Sequence, residues 1–251
     1  ALMGENGAGK STLIKALAGV VKPDGGTVAI DGTPVFIASP ADALRLGLRF
    51  IHQELSVVPH LSVAEHIFLG RDYPRRWGVM IDWDGLNRRA TAVLAGLGVD
   101  HIPPGRKMAR LTVGDQMLVK IAAAFQDASI DGGAPARLYV MDEPTAALSA
   151  EESQRLFAVI RRLRAAGAGI IYVSHRLDEV MELADRLTVL RDGTTVATRD
   201  IAGLQKLEVI ELMIGRRFAA GYPPRLAPAS PEVALGVEHL STGYLQDVSF
   251  E

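Results

Sequence analysis

Near its beginning the chain carries the stretch Gly4-Glu5-Asn6-Gly7-Ala8-Gly9-Lys10-Ser11-Thr12, with the spacing G-x-x-x-x-G-K-[ST]. The glycines let the backbone turn tightly and direct its N–H groups at phosphate oxygens. In such a loop the lysine supplies charge to the β- and γ-phosphates, and the serine offers a hydroxyl to Mg²⁺. A helix-forming run follows and adds a positive dipole end. The stretch therefore predicts a phosphate-binding loop, rather than a merely flexible one. The residues that we expect to contact a nucleotide are Gly4, Asn6, Gly7, Gly9, Lys10, Ser11 and Thr12.

The strand that should lead into this loop is reduced to Ala1-Leu2-Met3. Strands of this kind usually have about five or six residues and lie inside a parallel sheet. We therefore interpret the chain as a piece of a longer protein that lacks its opening strands.

Composition excludes several classes of function. A formal net charge of −2 argues against a nucleic-acid binder that relies on bulk electrostatics. Cysteine is absent, which excludes disulfides, cysteine-ligated zinc and thiol catalysis. No uncharged apolar run reaches the roughly 18 residues that a membrane-spanning helix needs.

The hydrophobic pattern predicts an α/β fold with buried parallel strands. Asp31-Gly32 marks a hairpin turn, and four prolines among small residues mark a linker over 216–232. Residues 1–215 then form one domain, and 233–251 resume a strand-like pattern. The region 62–98 is predicted to be mostly helical, with breaks around Tyr73-Pro74 and near Gly78. The other predicted helices are 12–18, 40–46, 113–125, 151–165 and 177–184, and the predicted strands include 27–30, 34–37, 49–52, 138–141, 170–173, 187–190 and 194–197.

Two carboxylates follow the buried strand predicted at 138–141. Asp142 is placed to bind Mg²⁺, directly or through water, and Glu143 to polarise the water that attacks a γ-phosphate. A solvated acidic pair at a strand end is the alternative. The sequence Pro144-Thr145-Ala146-Ala147-Leu148 that follows favours the catalytic role.

Two further polar residues follow predicted strands. His175 comes just after 170–173 and can donate a hydrogen bond to a γ-phosphate. Gln53 follows 49–52, and its amide can reach Mg²⁺ or the attacking water. The alternatives are a structural histidine and an ordinary surface glutamine.

A further motif lies at the start of the helix predicted at 113–125. Thr112 and Asp115 have the spacing of a capping box. Such a helix start is either simply well capped, or it offers N–H groups and a hydroxyl to an anion. The candidate residues are Leu111, Thr112, Val113, Gly114, Asp115 and Gln116.

Taken in order, these motifs resemble those of an ABC ATPase. LTVGDQ resembles the LSVGDQ signature of importers for monosaccharides such as ribose, xylose, arabinose and galactose, and the resemblance covers about 1–216. Other stretches that resemble this family are GENGAGKST, HQELSVVPHLSVAEHIFLG, MDEPTAAL and ELMIGR. The matching motifs are Walker A at 4–12, the Q-loop at Gln53, the signature at 111–116, Walker B at 138–143, the D-loop at 147–149 and the switch histidine at His175.

The resemblance implies a P-loop NTPase fold with a mostly parallel core sheet, a small β subdomain and a helical subdomain at about 55–125. It implies that ATP and Mg²⁺ are bound, with Ser11, Gln53 and Asp142 at the metal and Glu143, Gln53 and His175 in catalysis. It also implies that the signature contacts the ATP of a second cassette in the same polypeptide, whose opening strands 233–251 resemble.

The implied activity is ATP hydrolysis that powers monosaccharide import through a membrane permease, at the cytoplasmic face of the inner membrane. An extracytoplasmic sugar-binding protein would deliver the sugar, and no nucleic acid would take part. Thr112 replaces the usual serine. The adenine-stacking aromatic of the first cassette is missing, so we expect the isolated piece to be weakly active or inactive; Tyr244 is a candidate for that aromatic in the second cassette.

Three alternatives remain from the sequence. An importer of nucleosides or of a sugar-like signal would share every motif, because the permease and the binding protein select the substrate. An ABC ATPase without a transport role should show basic patches, zinc cysteines or a long coiled coil, and the sequence shows none of these. A P-loop kinase would need only 4–12.

Overall fold

The computed structural model describes residues 1–51, 57–125, 136–216, 235–243 and 246–250. Backbone contacts group the chain into two units, Ala1–Arg216 and Arg217–Glu251. In chain order, the elements of the first unit are β1 (Leu2–Met3), α1 (Lys10–Leu17), β2 (Val28–Ile30), β3 (Thr33–Val35), α2 (Pro40–Arg45), β4 (Leu48–Ile51), α3 (Val63–Ile67), β5 (Arg75–Arg76), β6 (Met80–Ile81), α4 (Trp83–Leu97), a 3₁₀ turn (Met108–Arg110), α5 (Val113–Phe125), β7 (Leu138–Asp142), α6 (Ala150–Ala165), β8 (Gly169–Val173), α7 (Leu177–Leu183), β9 (Arg186–Arg191), β10 (Thr194–Asp200) and α8 (Lys206–Ile214).

A six-stranded sheet in the order β10-β9-β1-β8-β7-β4 forms the centre of this unit. Every neighbouring pair is parallel except β10 with β9. Residues 139–141 of β7 are all buried, whereas a half-exposed strand would alternate. A strand covered on both faces has this continuous pattern. The predicted α/β fold with a mostly parallel sheet is confirmed.

The carboxyl ends of β1, β7 and β8 lie side by side at one edge of the sheet. Asp142 at the end of β7 is paired in register with Val173 at the end of β8, and Leu2 of β1 is paired with the same Val173. The residues that follow these strands therefore meet at this edge, as expected of parallel strands.

The predicted hairpin around Asp31-Gly32 is also confirmed, as β2 and β3. Asp31 has φ +50° and Gly32 has φ +76°. Positive φ at both central residues is the geometry that a two-residue hairpin turn needs, and it is why Asp-Gly is favoured there.

The break predicted around Tyr73-Pro74 and near Gly78, within the mostly helical region 62–98, is confirmed. Between α3 and α4 the chain forms an antiparallel hairpin of β5 and β6. At its turn Trp77 has φ +53° and Gly78 has φ +75°, which a right-handed helix cannot contain. Pro74 before the hairpin and Gly78 within it account for the break.

The largest hydrophobic cluster packs helices against the sheet. It joins fully buried side chains of β7, α5 and α6, among them Met141, Ile121 and Leu156. Burial of such side chains is the main favourable contribution to folding. The sheet edge that carries the polar residues is therefore held by a packed core.

Within the described ranges, no helix has the length and apolar character to cross a bilayer. In the second unit, β11 (Val237–Leu240) and β12 (Val248–Phe250) pair antiparallel. Most of the predicted linker, 217–232, and Tyr244 lie outside the described residues.

Candidate functional site

The loop between β1 and α1 depends on glycines at specific positions. Gly7 has φ +84° and Gly9 has φ +100°, a region that side chains with a Cβ rarely adopt. A Cβ on Gly4 would lie 2.3 Å from the backbone oxygen of Leu190. The loop conformation thus requires glycine on both conformational and steric grounds.

Lys10, the first residue of α1, directs its ammonium group into this loop. Its Nζ donates hydrogen bonds to the backbone oxygens of Gly4 at 2.8 Å and Glu5 at 3.0 Å, and the residue is buried. α1 has no side-chain cap and no acidic residue in its first turn. A buried cation beside uncapped helix N–H groups suits an anion. The loop therefore fits a polyphosphate.

Glu143 and His175 meet where β7 and β8 end. Glu143 Oε1 lies 3.0 Å from His175 Nδ1, and the Glu143 carboxylate is mostly buried whereas the imidazole is exposed. The backbone N–H of Glu143 donates to the oxygen of Val173 at 2.9 Å. Glu143 has φ +46°, an uncommon conformation for a residue with a side chain. This backbone strain is a feature that clusters at functional sites.

One pocket of about 650 Å³ brings the loop and these polar residues together. It has one lysine, three carboxylate residues and one histidine around a glycine-rich loop. Its lining residues are Gly4, Glu5, Asn6, Gly7, Ala8, Gly9, Lys10, Ser11, Thr12, Asp142, Glu143, His175 and Met213. Met213 of α8 was not among the predicted site residues. It lies in the ELMIGR stretch, which carries no motif of polar chemistry.

The same pocket offers oxygen ligands of the kind that Mg²⁺ prefers. The Ser11 hydroxyl and the Asp142 carboxylate belong to its lining, and Mg²⁺ is usually bound by one or two protein carboxylates together with substrate phosphates. In the parts of the chain that the structure describes, no group of three or more His, Cys, Asp or Glu side chains is placed to hold a metal. Gln53, the third predicted ligand, lies outside the described residues.

The residues 111–116 lie at the start of α5 and do not belong to the pocket lining. Thr112 Oγ1 accepts a hydrogen bond from the Asp115 backbone N–H at 3.1 Å, as the capping box predicts. The Asp115 carboxylate instead contacts His101, with Oδ1 at 2.8 Å from Nε2. Gln116 Nε2 donates to the backbone oxygens of Met108 and Leu111. The predicted box is thus half formed.

Glu152 of α6 contacts this helix start, a residue that the sequence analysis did not single out. Its Oε1 accepts a hydrogen bond from the Gly114 backbone N–H at 3.1 Å, and its Oε2 accepts one from the Ser149 backbone N–H at 2.9 Å. Hydrogen bonds from Ser149 and from the Thr112 hydroxyl hold the pKa of Glu152 below its ordinary value. A carboxylate therefore already bonds one of the N–H groups that were predicted to suit an anion, that of Gly114. The Ser-x-x-Glu spacing at 149–152 signals the α6 cap, but not this contact.

Replacing Gly114 with alanine is expected to displace that carboxylate. The added Cβ would lie 2.5 Å from Glu152 Cδ. If a phosphate of another nucleotide takes the place of that carboxylate on the Gly114 N–H, the same Cβ would keep the phosphate away from this donor, and we expect hydrolysis by the full-length protein to fall about 10²-fold, the effect of losing one positioned backbone donor. Nucleotide affinity of the pocket should stay unchanged, because Gly114 does not line it.

Gly105→Ala is the matched control, since a Cβ there meets no atom within 4 Å. Steady-state hydrolysis and equilibrium nucleotide titration of both variants show whether Gly114 affects the rate of hydrolysis without affecting nucleotide affinity. Equal loss of affinity and rate in Gly114→Ala would indicate a folding defect and contradict the assignment.

Comparisons with known proteins agree with this geometry. The sequence profile of the ABC transporter family matches residues 1–146. Ribose import ATP-binding protein RbsA of Chromobacterium violaceum is 46% identical over 241 residues, which cover 96% of this chain and 46% of that protein. A Burkholderia ambifaria protein, named as a ribose/galactose/methyl galactoside import ATP-binding protein, is 47% identical over 251 residues, covering 100% of this chain and 47% of the relative. The chain spans about half the length of the curated relatives it matches.

Solved structures show the same fold. MJ1267, an ATP-binding cassette of an ABC transporter in its ADP conformation, superposes with a TM-score of 0.68 at 26% identity, over 86% of this chain and 87% of that one. A nucleotide-free ATP-binding cassette from an ABC transporter gives 0.66 at 25% identity, over 85% of this chain and 83% of that one. With a profile match that spans 1–146 of 251 residues, the chain belongs to the ABC transporter family and has the fold of its ATP-binding cassettes.

Proposed function

We propose that the protein binds and hydrolyses ATP to power the import of a monosaccharide through a partner permease. The observation that carries the ATPase activity is the placement of Lys10, Glu143 and His175 around one pocket. The sugar is supported by the names of relatives at 46–47% identity. A nucleoside or a sugar-like signal remains the alternative substrate.

In this proposal the loop and Lys10 bind the triphosphate. Lys10 lies at the positive end of α1, and its Nζ can exchange the backbone oxygens of Gly4 and Glu5 for phosphate oxygens. Gly7 and Gly9 bring backbone N–H groups close to the same anion. Asn6, Ser11 and Thr12 add polar groups to the lining.

Glu143 acts as the general base in the proposed reaction. Its carboxylate accepts a proton from the water that attacks the γ-phosphate. His175 Nδ1, at 3.0 Å, fixes the orientation of this carboxylate, and a protonated imidazole can donate its second N–H to the phosphate. When bound, Mg²⁺ supplies positive charge that neutralises the phosphate oxygens; Ser11, Asp142 and Gln53 would hold it.

The signature residues act on a second nucleotide in this proposal. Thr112 and Gly114 lie outside the pocket, and relatives about twice as long leave room for a second cassette. We assign 1–215 to the first cassette, 216–232 to a linker and 233–251 to the opening strands of the second. Two cassettes that close around ATP would drive a permease at the cytoplasmic face of the inner membrane, because ATP binds the closed state better than the open one. A sugar-binding protein outside would deliver the substrate, with no role for nucleic acid.

The test is transport by the full-length protein with its permease and binding protein, in cells that lack other importers of these sugars. Uptake of labelled ribose, galactose, xylose and arabinose is compared with that of a nucleoside, in the parent and in Glu143→Gln. We expect uptake of at least one sugar, and its loss in the variant. Uptake of the nucleoside alone would overturn the sugar assignment, and hydrolysis without uptake of any of them would overturn the importer assignment.

A further inference from the structure

A buried carboxylate lies behind the catalytic edge of the sheet and takes no part in the mechanism above. Glu179 of α7 is 5% exposed and does not line the pocket. Removing a carboxylate from water is costly unless hydrogen bonds and an opposite charge compensate. The groups that contact the Glu179 carboxylate therefore indicate which parts of the structure it stabilises.

Three hydroxyl groups donate to one oxygen of this carboxylate. Glu179 Oε2 accepts hydrogen bonds from Thr145 Oγ1 at 2.7 Å, Tyr172 OH at 2.8 Å and Ser174 Oγ at 3.1 Å. All three donor residues are buried. Burial raises the pKa of the Tyr172 phenol, so this group stays a protonated donor. Hydrogen bonds to a charged acceptor are roughly twice as strong as those between neutral groups.

The second oxygen faces a cation. Glu179 Oε1 lies 2.7 Å from Arg176 Nη1, an ion pair whose angle is not that of a hydrogen bond. The Arg176 backbone N–H in turn donates to Ser174 Oγ at 3.0 Å. The carboxylate is thus compensated from two sides, and it closes a network that includes the residue on each side of His175.

The donors belong to the two segments that carry the base and the switch histidine. Thr145 is two residues after Glu143, and Ser174 directly precedes His175. Tyr172 lies on β8 and is paired in register with Met141 on β7. The Glu179 side chain therefore holds both segments in place. Their functional groups, the Glu143 carboxylate and the His175 imidazole, approach to 3.0 Å.

The strained backbone of Glu143 depends on the contacts that Glu179 makes. At φ +46° it is held in a sparsely populated conformation, which persists only when surrounding contacts over-determine it. The bond from its N–H to the Val173 oxygen fixes one side, and Thr145, bonded to Glu179, fixes the other. Without Glu179 the segment is free to relax, and the Glu143 carboxylate would move away from His175.

We propose that Glu179 is a positioning residue that couples the catalytic base Glu143 to His175 by anchoring the segments on which both lie. The inference rests on the proposed ATPase function. It predicts an effect on the rate of hydrolysis rather than on nucleotide affinity, because Glu179 is absent from the lining of the pocket.

Glu179→Gln tests the proposal in the full-length protein, because an amide keeps the shape and cannot hold three donors and a cation equally well. We expect kcat for ATP hydrolysis to fall at least tenfold while the Kd for ATP changes less than threefold. Glu182→Gln on the same helix is the control, since its carboxylate pairs with Arg161 at the surface. An unchanged kcat in Glu179→Gln, or an equal loss in the control, would overturn the proposal.

A double-mutant cycle with Glu143→Gln separates positioning from general stability. Once the base is absent its position no longer matters, so adding Glu179→Gln should lower the residual rate less than twofold. Full additivity of the two losses would contradict the coupling. Tyr172→Phe removes a single donor and keeps the ring, so we expect an intermediate loss of rate. This variant tests the proposal if Glu179→Gln does not fold.

Amide hydrogen exchange gives a readout independent of activity. In Glu179→Gln the exchange of the hydrogen-bonded amides of Glu143, Ala146 and Arg176 should accelerate at least tenfold, with the amides of the sheet strands unchanged. Should the parent hydrolyse no ATP, the proposed function fails, and unchanged exchange at these residues would separately refute the anchor. Faster exchange throughout the sheet would also contradict it, since that is the result of a general loss of stability.

Discussion

Tight ATP binding is expected to be lost when Lys10 is replaced by alanine. The ammonium group is buried in the loop, where it bonds two backbone oxygens at 2.8 and 3.0 Å. Among the described residues that line the pocket, Lys10 is the one lysine, and alanine removes its charge. A hydrogen bond to a charged group contributes about 1.5–3 kcal/mol, so the Kd for ATP should rise about 10- to 150-fold.

Lys15→Ala is the matched control for this measurement. Lys15 lies on the same helix, α1, but is exposed and does not line the pocket. Equilibrium titration of the full-length protein with labelled ATP should show an unchanged Kd for this variant. An affinity of Lys10→Ala within about threefold of the parent would refute the assignment of the loop. Thermal unfolding monitored in parallel shows whether loss of the two loop bonds, rather than of the phosphate contact, has destabilised the protein.

The regions that sequence predicted well are those fixed by local pattern. The glycines of the loop, the Asp31-Gly32 turn and the continuous apolar run of β7 each determine a conformation within a few residues. The sequence predicted that Glu143 and His175 each follow a buried strand, but not that the two side chains lie together. Their approach to 3.0 Å depends on β7 and β8 being neighbours in the sheet, which the structure shows.

The features that sequence reasoning missed depend on distant partners. Glu152 is 38 residues from Gly114, and Glu179 is 34 residues from Thr145. Each glutamate occupies a helical position where an ordinary surface carboxylate would fit the pattern equally well. The packing of the helices determines which glutamates contact distant segments, and no local spacing in the sequence encodes these contacts. The positive φ of Glu143 is of the same kind, since surrounding contacts impose it on a residue that does not favour it.

Substitution of Glu143 by glutamine is expected to separate binding from hydrolysis. Glutamine keeps the size and the hydrogen-bonding reach of the side chain but cannot accept a proton from water. A positioned general base contributes about 10²–10⁴-fold to a rate, so kcat should fall within that range. The Kd for ATP should stay within about threefold, because the charge of Lys10 and the loop are untouched. A closed, ATP-loaded state should then accumulate.

Steady-state hydrolysis and equilibrium titration of the same preparation measure kcat and the Kd for ATP. Glu182→Gln again serves as the control, because this surface carboxylate pairs with Arg161 away from the pocket. A rate of Glu143→Gln within about threefold of the parent would show that another group takes the proton. A fall in affinity as large as the fall in rate would instead show that Glu143 helps to bind the nucleotide. Only loss of turnover with retained binding agrees with a base held beside His175 at the carboxyl edge of the sheet.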